Sequence, residues 1–312
     1  MKIFIDGSEG TTGLQLSERL SGRDDLELLK IDSRNRKSFR HREALYRKAD
    51  LVVLCLPDAS SREAVTAIDC KNTIIIDASS AHRVHPDWVY GFTEYESGHR
   101  ELIRSSQRIS NPGCYAIAAV AAFFPIIKAN QIPANWPYSI TGLSGYSGGG
   151  KTLIESFKSG EHYDNKVSNF DYSLEIDHKH LPEITQQAHL KHMPAFSPTV
   201  GNFYQGMVVR IHLPLWAFSE KTSPEIIHET YLSHYKDEQF IEVAPLNFAE
   251  TKKYINPEEL NGSNRMRLNI LKDPKATNVI IVVQLDNLGK GASGQAMQTI
   301  NLLSGADENY GL

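Results

Sequence analysis

Cys114 is the residue of this 312-residue sequence best placed to act as a nucleophile. It follows the dense turn signal Ser110-Asn111-Pro112-Gly113, and an Ala-rich, helix-compatible run begins at Tyr115. The positive end of such a helix stabilises a thiolate, the reactive form of cysteine. A cysteine in a turn can also be purely structural. Cys55, inside the apolar run LVVLCL, is predicted to be a core residue, and Cys70 has no catalytic context.

His178 and His180 supply a candidate acid/base group for such a thiol. They flank Lys179 and precede the run Leu181-Pro182-Glu183-Ile184. Because imidazole titrates near neutrality, it can take a thiol proton and return it to a departing group. The pattern of residues alone does not choose between the two histidines. No third ligand stands out near them, so we expect no metal site.

A glycine loop near the N-terminus has the pattern of a dinucleotide site. Gly7, Gly10 and Gly13 follow the apolar run Lys2–Asp6 and precede a helical run. Such glycines let backbone N–H groups approach a pyrophosphate. A tight turn without a ligand would have the same spacing. The cofactor contacts predicted on this loop are Gly7, Ser8, Gly10, Thr11, Thr12 and Gly13.

The segment that follows the second predicted strand bears on the choice of dinucleotide. Asp32 could accept a hydrogen bond from the 2′-hydroxyl of NAD. Ser33, Arg34 and Arg36 instead offer a hydroxyl and two guanidinium groups to the 2′-phosphate of NADP. We therefore expect NADP(H), although a solvated basic loop remains the alternative for Arg36 and Lys37.

A second glycine-rich segment, Ser144-Gly145-Tyr146-Ser147-Gly148-Gly149-Gly150-Lys151, could bind an acyl phosphate. It combines backbone donors, hydroxyl groups and a cation, which are the groups that stabilise charge on leaving phosphate oxygens. The run GYSGGGKT also fits the spacing of a nucleotide-binding P-loop, and a P-loop phosphotransferase is therefore an alternative. No second signature of nucleotide hydrolysis accompanies it.

The elements that must position these groups fall into two kinds. The first third of the chain alternates short, wholly apolar strands with amphipathic helices, which predicts a parallel sheet in a Rossmann-like, doubly wound α/β domain. Beyond about residue 130 the strands alternate in polarity, which predicts an α+β domain with a mixed sheet. The polar stretch 160–199 is predicted to be a long loop with one short helix.

Composition excludes several classes of protein. The formal net charge of −4 argues against a nucleic-acid or anionic-membrane partner. The longest apolar run, Cys114 to Ile127, is shorter than the ~18 residues that a membrane span needs. From three cysteines without CxxC spacing we expect no disulfide framework, and the N-terminal run is too short for the core of a signal peptide. We expect a cytoplasmic protein.

Several motifs, in order along most of the chain, resemble those of the N-acetyl-γ-glutamyl-phosphate reductase family, in its shorter sequence type. The motifs are IDGSEGTTG (5–13), IDASSAHR (76–83), DWVYGF (87–92), SNPGCYA (110–116), SGYSGGGK (144–151), HKHLPEI (178–184) and DNLGKGASGQAMQTINLL (286–303). This family is related by fold and chemistry to aspartate-semialdehyde dehydrogenase. One departure is visible: Thr93 stands where the resemblance leads us to expect proline.

The resemblance implies a reaction and a set of site residues. Cys114 would form a thioester with the substrate, NADPH would reduce it, and His180 would handle protons. The chain would then divide into an NADP-binding domain, 1–114 with 288–312, and a catalytic and oligomerisation domain, 115–287, in a homodimer or homotetramer. The implied cofactor contacts beyond the first loop are Ser33, Arg34, Arg36, Ser79 and Asn287. The implied substrate contacts are Asn111, Ser144, Tyr146, Ser147, Gly148, Lys151, His178, Glu183 and Arg83.

Two other functions remain open at this stage. The same chemistry could act on another acyl phosphate, of the aspartyl or aminoadipate type. Alternatively, the chain could be a cofactor-binding regulator without turnover, in which case Cys114 would be unreactive towards alkylating agents at neutral pH.

Overall fold

The structure is a computed structural model that describes residues 1–68, 72–159, 167–219 and 221–312. Cys70 lies outside the described residues. The chain forms two compact units. The first comprises Met1–Thr93, Ser97–Gly113 and Ala292–Leu312, and the second comprises Glu94–Glu96 and Cys114–Gly291. Three parts of the cofactor domain predicted from the sequence therefore pack within the second unit, namely residues 94–96, Cys114 and residues 288–291.

The first unit begins with alternating strands and helices. Its elements up to residue 113 are β1 Lys2–Asp6, α1 Thr11–Leu20, β2 Glu27–Leu29, α2 Phe39–Tyr46, β3 Leu51–Leu54, α3 Asp58–Ala67, β4 Ile74–Asp77, β5 Val89–Tyr90, α4 His99–Ser105 and β6 Arg108–Ser110. The strands pair in the order β2-β1-β3-β4-β6-β5, and every pairing is parallel. This confirms the Rossmann-like sheet, in which apolar strands such as Leu51–Leu54 are buried throughout.

The second unit contains most of the remaining elements. They are α5 Cys114–Lys128, β7 Ser139–Gly145, α6 Gly150–Ser159, β8 Asn169–Asp171, α7 Leu181–Gln187, β9 Ala195–Gly201, β10 Met207–Pro214, α8 Pro224–His234, β11 Ile241–Val243, α9 Phe248–Thr251, β12 Met266–Lys272 and β13 Asn278–Leu285. A π-helical turn, Gly289–Ser293, then leads into α10, Gly294–Ser304, which belongs to the first unit.

The sheet of the second unit is mixed, as predicted. Its order is β11-β12-β13-β10-β7-β9-β8, with parallel pairs β11–β12 and β7–β9 and antiparallel pairs elsewhere. The prediction of a long loop over 160–199 was wrong for part of its described portion. That portion contains α7, but it also contributes β8 and β9 to this sheet.

Thr93, the departure from the expected proline, is fully buried in the first unit. Its hydroxyl oxygen accepts a hydrogen bond from Nε2 of Gln298 at 2.7 Å. The substitution therefore exchanges a fixed backbone angle for a buried hydrogen bond to α10.

No helix among the described residues has the length and apolar character needed to cross a membrane. The most apolar of them is α5, in which every residue from Tyr115 to Ile127 is buried. Pro125 lies within this helix and has no N–H to donate to the carbonyl group of Ala121. The hydroxyl of Tyr235 donates to that carbonyl instead, at 2.7 Å. A tyrosine outside α5 thus replaces the missing hydrogen bond and keeps the helix continuous.

We expect Tyr235→Phe to lower the free energy of unfolding by about 1–3 kcal/mol, because it leaves the Ala121 carbonyl buried without a donor. In a Pro125→Ala background the same change should cost less, since alanine at this position restores an N–H donor. Chemical denaturation of the native protein, the two single variants and the double variant measures the coupling free energy between residues 125 and 235.

Tyr231→Phe is the matched control. Tyr231 donates to the carbonyl of Ala122, whose usual helical partner, the N–H of Ile126, is present. Its cost should therefore not depend on residue 125. Equal costs of Tyr235→Phe in the native and the Pro125→Ala backgrounds would contradict this account of the helix.

Candidate active site

The first glycine loop follows β1, the strand at which the order of the parallel sheet reverses, between β2 and β3. Ligands of such sheets bind at this point. Gly7 has φ +88°, and a Cβ atom there would lie 2.3 Å from the carbonyl oxygen of Cys55. A Cβ at Gly13 would lie 2.3 Å from the carbonyl oxygen of Gly7. Only glycine therefore fits at these two positions.

Helix α1 starts immediately after this loop. Gly10 precedes it and provides no side-chain cap, so the first N–H groups of the helix are directed at the space above the loop. Ser8, Thr11 and Thr12 are half-buried around it.

Cys55, in contrast, packs against the hydrophobic core, and burial raises the pKa of its thiol to about 12. Cys55 is half-buried, so it lies at the edge of the predicted core and not within it.

The predicted ribose segment contains an ion pair between Arg34 and Asp32. The guanidinium group of Arg34 donates to both carboxylate oxygens, and the backbone N–H of Arg34 donates to one of them at 2.9 Å. These hydrogen bonds lower the pKa of Asp32. Arg36 contacts Glu9, and Ser33 is exposed. Exposed ion pairs contribute little to stability, so a phosphate can compete for these arginines.

Asp77 is the residue of the IDASSAHR segment (76–83) that binds several of its neighbours by hydrogen bonds. Its carboxylate is fully buried and accepts hydrogen bonds from the hydroxyl groups of Ser61 and Ser79, the N–H of Ser79 and the ring of His82. Burial alone would raise the pKa of Asp77, but these hydrogen bonds hold it below its usual value. His82 in turn stacks on Trp88, with 4.2 Å between ring centroids. Ser79 is therefore held in place by Asp77.

Arg83 and Asn111 meet next to this network. The guanidinium group of Arg83 is buried and donates to the backbone carbonyls of Asn111 and Ala78, both at 3.0 Å, so Arg83 is not a surface residue. Nδ2 of Asn111 donates to the carbonyl of Ala292 at 3.1 Å. Its buried Oδ1 accepts no hydrogen bond from the described residues, which makes it a possible acceptor for a ligand.

Cys114 is the first residue of α5 in the second unit and is partly exposed. A Cβ at Gly291 would lie only 2.8 Å from the Cβ of Cys114, so the backbone of the π-helical turn touches the cysteine. Burial raises the pKa of Tyr172, and the charge of Cys114 raises it further. Burial also raises the pKa of Tyr115, with added contributions from Tyr172 and then Cys114. Tyr172 thus belongs to the surroundings of the thiol, although no sequence motif indicated it.

His178 and His180 lie against the ring of Tyr115, with centroids 5.9 Å and 6.1 Å from it. Nδ1 of His178 accepts the backbone N–H of His180 at 3.1 Å, and its Nε2 is 3.3 Å from the hydroxyl of Tyr172. An Nδ1 that accepts a hydrogen bond keeps the proton on Nε2. Both ring nitrogens of His178 therefore have partners that fix the orientation of the ring. Both histidines, like Glu183 on α7, are buried.

The second glycine-rich segment does not have the form of a P-loop. Residues Tyr146–Gly149 form a 3₁₀ turn, and the N–H groups of Gly145, Tyr146 and Ser147 donate to the carbonyls of Gly206, Phe203 and Tyr204. These N–H groups are therefore already bound, which removes the backbone donors that the sequence analysis expected at these three positions. Lys151 is exposed and lies 3.8 Å from Glu155 on its own helix.

The hydroxyl groups of this segment remain inside the unit. Ser144 and Ser147 are buried, whereas Gly148 is exposed and Tyr146 stacks on Phe157 at 4.5 Å. The Oγ of Ser147 accepts a hydrogen bond from Nδ2 of Asn287 at 2.9 Å. Oδ1 of Asn287 accepts the N–H of Gly206 at 2.8 Å. Asn287 therefore joins the glycine-rich segment to the end of β13.

Asp286, beside Asn287, was not predicted as a site residue. Its fully buried carboxylate accepts hydrogen bonds from the side chain of Gln205 and from the N–H groups of Gly262 and Leu288. It therefore fixes the start of the turn that reaches Cys114.

Among the described residues, no group of three or more His, Cys, Asp or Glu side chains could hold a metal ion.

Two family models match the chain. Residues 2–103 match the NAD binding domain of semialdehyde dehydrogenase, and residues 114–287 match the semialdehyde dehydrogenase dimerisation domain. Solved structures with a similar fold include aspartate semialdehyde dehydrogenase II from Vibrio cholerae (TM-score 0.69, 16% identity, 97% of each chain) and a probable aspartate-semialdehyde dehydrogenase from Pseudomonas aeruginosa (TM-score 0.72, 14% identity, 97% of this chain and 98% of that chain). At these identities the likeness concerns the fold.

Curated relatives are much closer in sequence. N-acetyl-gamma-glutamyl-phosphate reductase from Brucella ovis is 44% identical over 308 residues, which cover 97% of this chain and 99% of the relative. The protein of the same name from Brucella anthropi is 44% identical over 306 residues, covering 97% and 98%. With this identity over nearly the whole length, the chain belongs to the N-acetyl-gamma-glutamyl-phosphate reductase family of oxidoreductases, within the semialdehyde dehydrogenases.

Proposed function

We propose that this chain reduces N-acetyl-γ-glutamyl phosphate to N-acetylglutamate semialdehyde with NADPH and releases inorganic phosphate, a step of arginine biosynthesis. The observation that carries the proposal is the 44% identity, over 97% of the chain, to reductases of this name. The placement of Cys114 at the start of a buried helix supports it, because a covalent mechanism needs a stabilised thiolate.

In the proposed reaction the thiolate of Cys114 attacks the acyl carbon, and phosphate leaves to give a thioester. Bound NADPH supplies a hydride to the thioester carbonyl. The resulting thiohemiacetal collapses, releasing the semialdehyde and restoring the thiolate. His180 takes the thiol proton at the outset. Later it protonates the oxygen of the tetrahedral intermediate or the sulfur of Cys114 as that sulfur departs. His178 is the orienting partner, because its ring is already held by Tyr172 and by the backbone of His180.

Residues 1–114 with 288–312 form the cofactor-binding part in this proposal. The glycine loop fits a dinucleotide because its turn between β1 and α1 is too tight for any Cβ at Gly7 or Gly13, and a turn of this kind lets a pyrophosphate approach the backbone and the start of the helix. Ser33, Arg34 and Arg36 are proposed to meet the 2′-phosphate, which would draw Arg34 away from Asp32. Preference for NADP is further supported by the fold neighbour from Candida albicans, which was solved with NADP. Ser79 and Asn287 remain proposed cofactor contacts.

Residues 115–287 carry most of the proposed substrate contacts. Ser144 and Ser147 in this part, with Arg83 and Asn111 from outside it, offer buried donors and acceptors to a polar substrate. For Asn111 the support is its buried Oδ1, which has no donor among the described residues. The other proposed contacts are Tyr146, Gly148, Lys151, His178 and Glu183. Lys151, exposed beside Glu155, would have to reorient to meet phosphate.

We also propose that the protein is a homodimer or a homotetramer assembled through the second unit. This unit matches a model named for dimerisation. Arg210, on the central strand β10, lies opposite Val282 and Thr141 and makes no ion pair with any side chain of the described ranges. Burial lowers its pKa. A half-buried guanidinium group without a carboxylate partner is expected to meet an acceptor from a second copy. A cytoplasmic location stays a prediction.

The function is tested by oxidation of N-acetylglutamate semialdehyde, followed as NADPH formation with and without phosphate. We expect turnover that requires phosphate. With N-acetylglutamate semialdehyde it should be faster with NADP than with NAD, and with NADP it should be faster than turnover of aspartate semialdehyde. Cys114→Ala should lower it by at least about 10⁴-fold, because no other nucleophile replaces the thiol. Retained binding of NADP by this variant is the control for folding. Phosphate-dependent turnover by Cys114→Ala would contradict covalent catalysis, and slow alkylation of the native Cys114 would favour a regulator.

The division of labour between the histidines gives a separate test. His180→Asn should lower kcat by about 10²–10⁴-fold and remove the limb of the pH profile that an imidazole base produces. His178→Asn should lower kcat while keeping that limb, because an orienting ring does not transfer the proton. The reverse pattern in the two pH profiles would assign the acid/base role to His178.

The oligomer is tested by sedimentation velocity of the purified protein at several concentrations. We expect a dimer or tetramer, and Arg210→Ala should raise the dissociation constant at least about tenfold, since it removes a buried interface donor. The exposed Arg47, which pairs with Glu43 in the first unit, supplies the control variant Arg47→Ala. A monomer at all concentrations would contradict the assembly.

A further inference from the structure

Lys290 and Glu94 form an ion pair with no solvent exposure. Nζ of Lys290 lies 2.8 Å from both carboxylate oxygens of Glu94, and both side chains are 0% exposed. Nζ also lies 5.4 Å from the ring centroid of Phe240. Burial of two charges is costly, and similarly sized apolar side chains often stabilise a protein as well or better. Stability alone therefore does not account for this pair.

The position of each partner along the chain is informative. Lys290 is the second residue of the π-helical turn Gly289–Ser293. Glu94 begins the short segment Glu94–Glu96, which packs in the second unit although its neighbours on both sides belong to the first. Turns of the π type are rare and occur mostly at functional sites. The ion pair thus fixes an unusual backbone turn to an isolated segment of chain.

The same turn touches the nucleophile. Gly291, the residue after Lys290, has no room for a Cβ because the Cβ of Cys114 is in the way. The N–H of Gly291 donates to the carbonyl of Asp286 at 2.9 Å, and Asp286 is itself held by its buried hydrogen bonds. One end of the turn is therefore fixed by Asp286, and the ion pair of Lys290 fixes the middle.

We propose that Glu94 and Lys290 are positioning residues for Cys114: their ion pair holds the π-helical turn so that Gly291 sets the position of the cysteine at the start of α5. Neither residue touches the reacting atoms in this proposal. A shift of about 1 Å in a reacting group is enough to slow a reaction by ~100-fold. The role in turnover depends on the proposed function, whereas the effect on the reactivity of Cys114 does not.

Glu94→Asp keeps both charges but withdraws the carboxylate by one methylene group. We expect kcat to fall at least about fivefold with KM changed less than about twofold, because the substrate contacts are untouched. Alkylation of Cys114 by iodoacetamide, followed by mass spectrometry of its peptide, should slow at least about threefold. Unchanged values of both kcat and the alkylation rate would overturn the proposal.

The double variant Glu94→Gln, Lys290→Met separates positioning from stability. Removing both charges avoids an unpaired buried ion, so its melting temperature should stay near that of the native protein. Its kcat and alkylation rate should remain as low as those of Glu94→Asp. Recovery of both rates would show that the pair is only structural. If the double variant does not fold, the result with Glu94→Asp decides.

Arg23→Met is the matched control. Arg23 is also buried, pairs with Asp25 and bonds to Asn301 in the first unit. This variant should lose thermal stability while keeping the alkylation rate of Cys114. Equal slowing of alkylation in Arg23→Met would attribute the effect to general destabilisation and overturn the proposal. A native protein without turnover would count against the proposed function, while its alkylation rate would still test the ion pair.

Discussion

The proposed role of Cys114 depends on one constraint: a thiolate is stabilised at the positive end of a helix, while the rest of this helix stays buried. Helix α5 meets both demands because its residues from Tyr115 to Ile127 are apolar enough to lie inside the second unit. A buried helix cannot leave a carbonyl without a donor, so the gap at Pro125 is filled by the hydroxyl of Tyr235. The burial of α5 thus connects the position of Cys114 at its start with the hydrogen bond that Tyr235 donates to the carbonyl of Ala121.

Buried carboxylates organise both units in the same way. Asp77 in the first unit and Asp286 in the second each receive several N–H or O–H donors, and each lies at or just after the end of a strand. A carboxylate satisfied on both oxygens fixes the loop that follows it, because moving the loop would leave a buried charge without partners. The proposed ligand contacts Ser79 and Asn287 lie two residues after Asp77 and one residue after Asp286. Rigid carboxylates therefore support the proposed ligand contacts.

The sequence predicted the parts of this structure that have strong periodicity. The apolar strands and the glycine turn of the first unit indicated a Rossmann-like sheet, and alternating strands such as Met207–Pro214 indicated the mixed sheet. Strand β9 was missed because Pro198 lies inside it, and proline normally argues against a strand. The exposed position of Lys151 and the surroundings of Tyr172 depend on tertiary contacts, which no local pattern encodes. The roles proposed for the two histidines likewise rest on the hydrogen bonds of His178, which no local pattern encodes.

The return of α10 to the first unit has a consequence for biosynthesis of the protein. Met297 and Ile300 share a hydrophobic core with Ile3 and Leu16, which are made almost three hundred residues earlier. A nascent chain cannot complete that core until α10 has left the ribosome, so the N-terminal strands keep apolar surface exposed until then. The second unit, whose main segment is continuous, lacks only the three residues Glu94–Glu96 from outside it, and these are synthesised first. During translation the second unit is thus expected to fold before the first unit, although synthesis starts with the strands of the first unit.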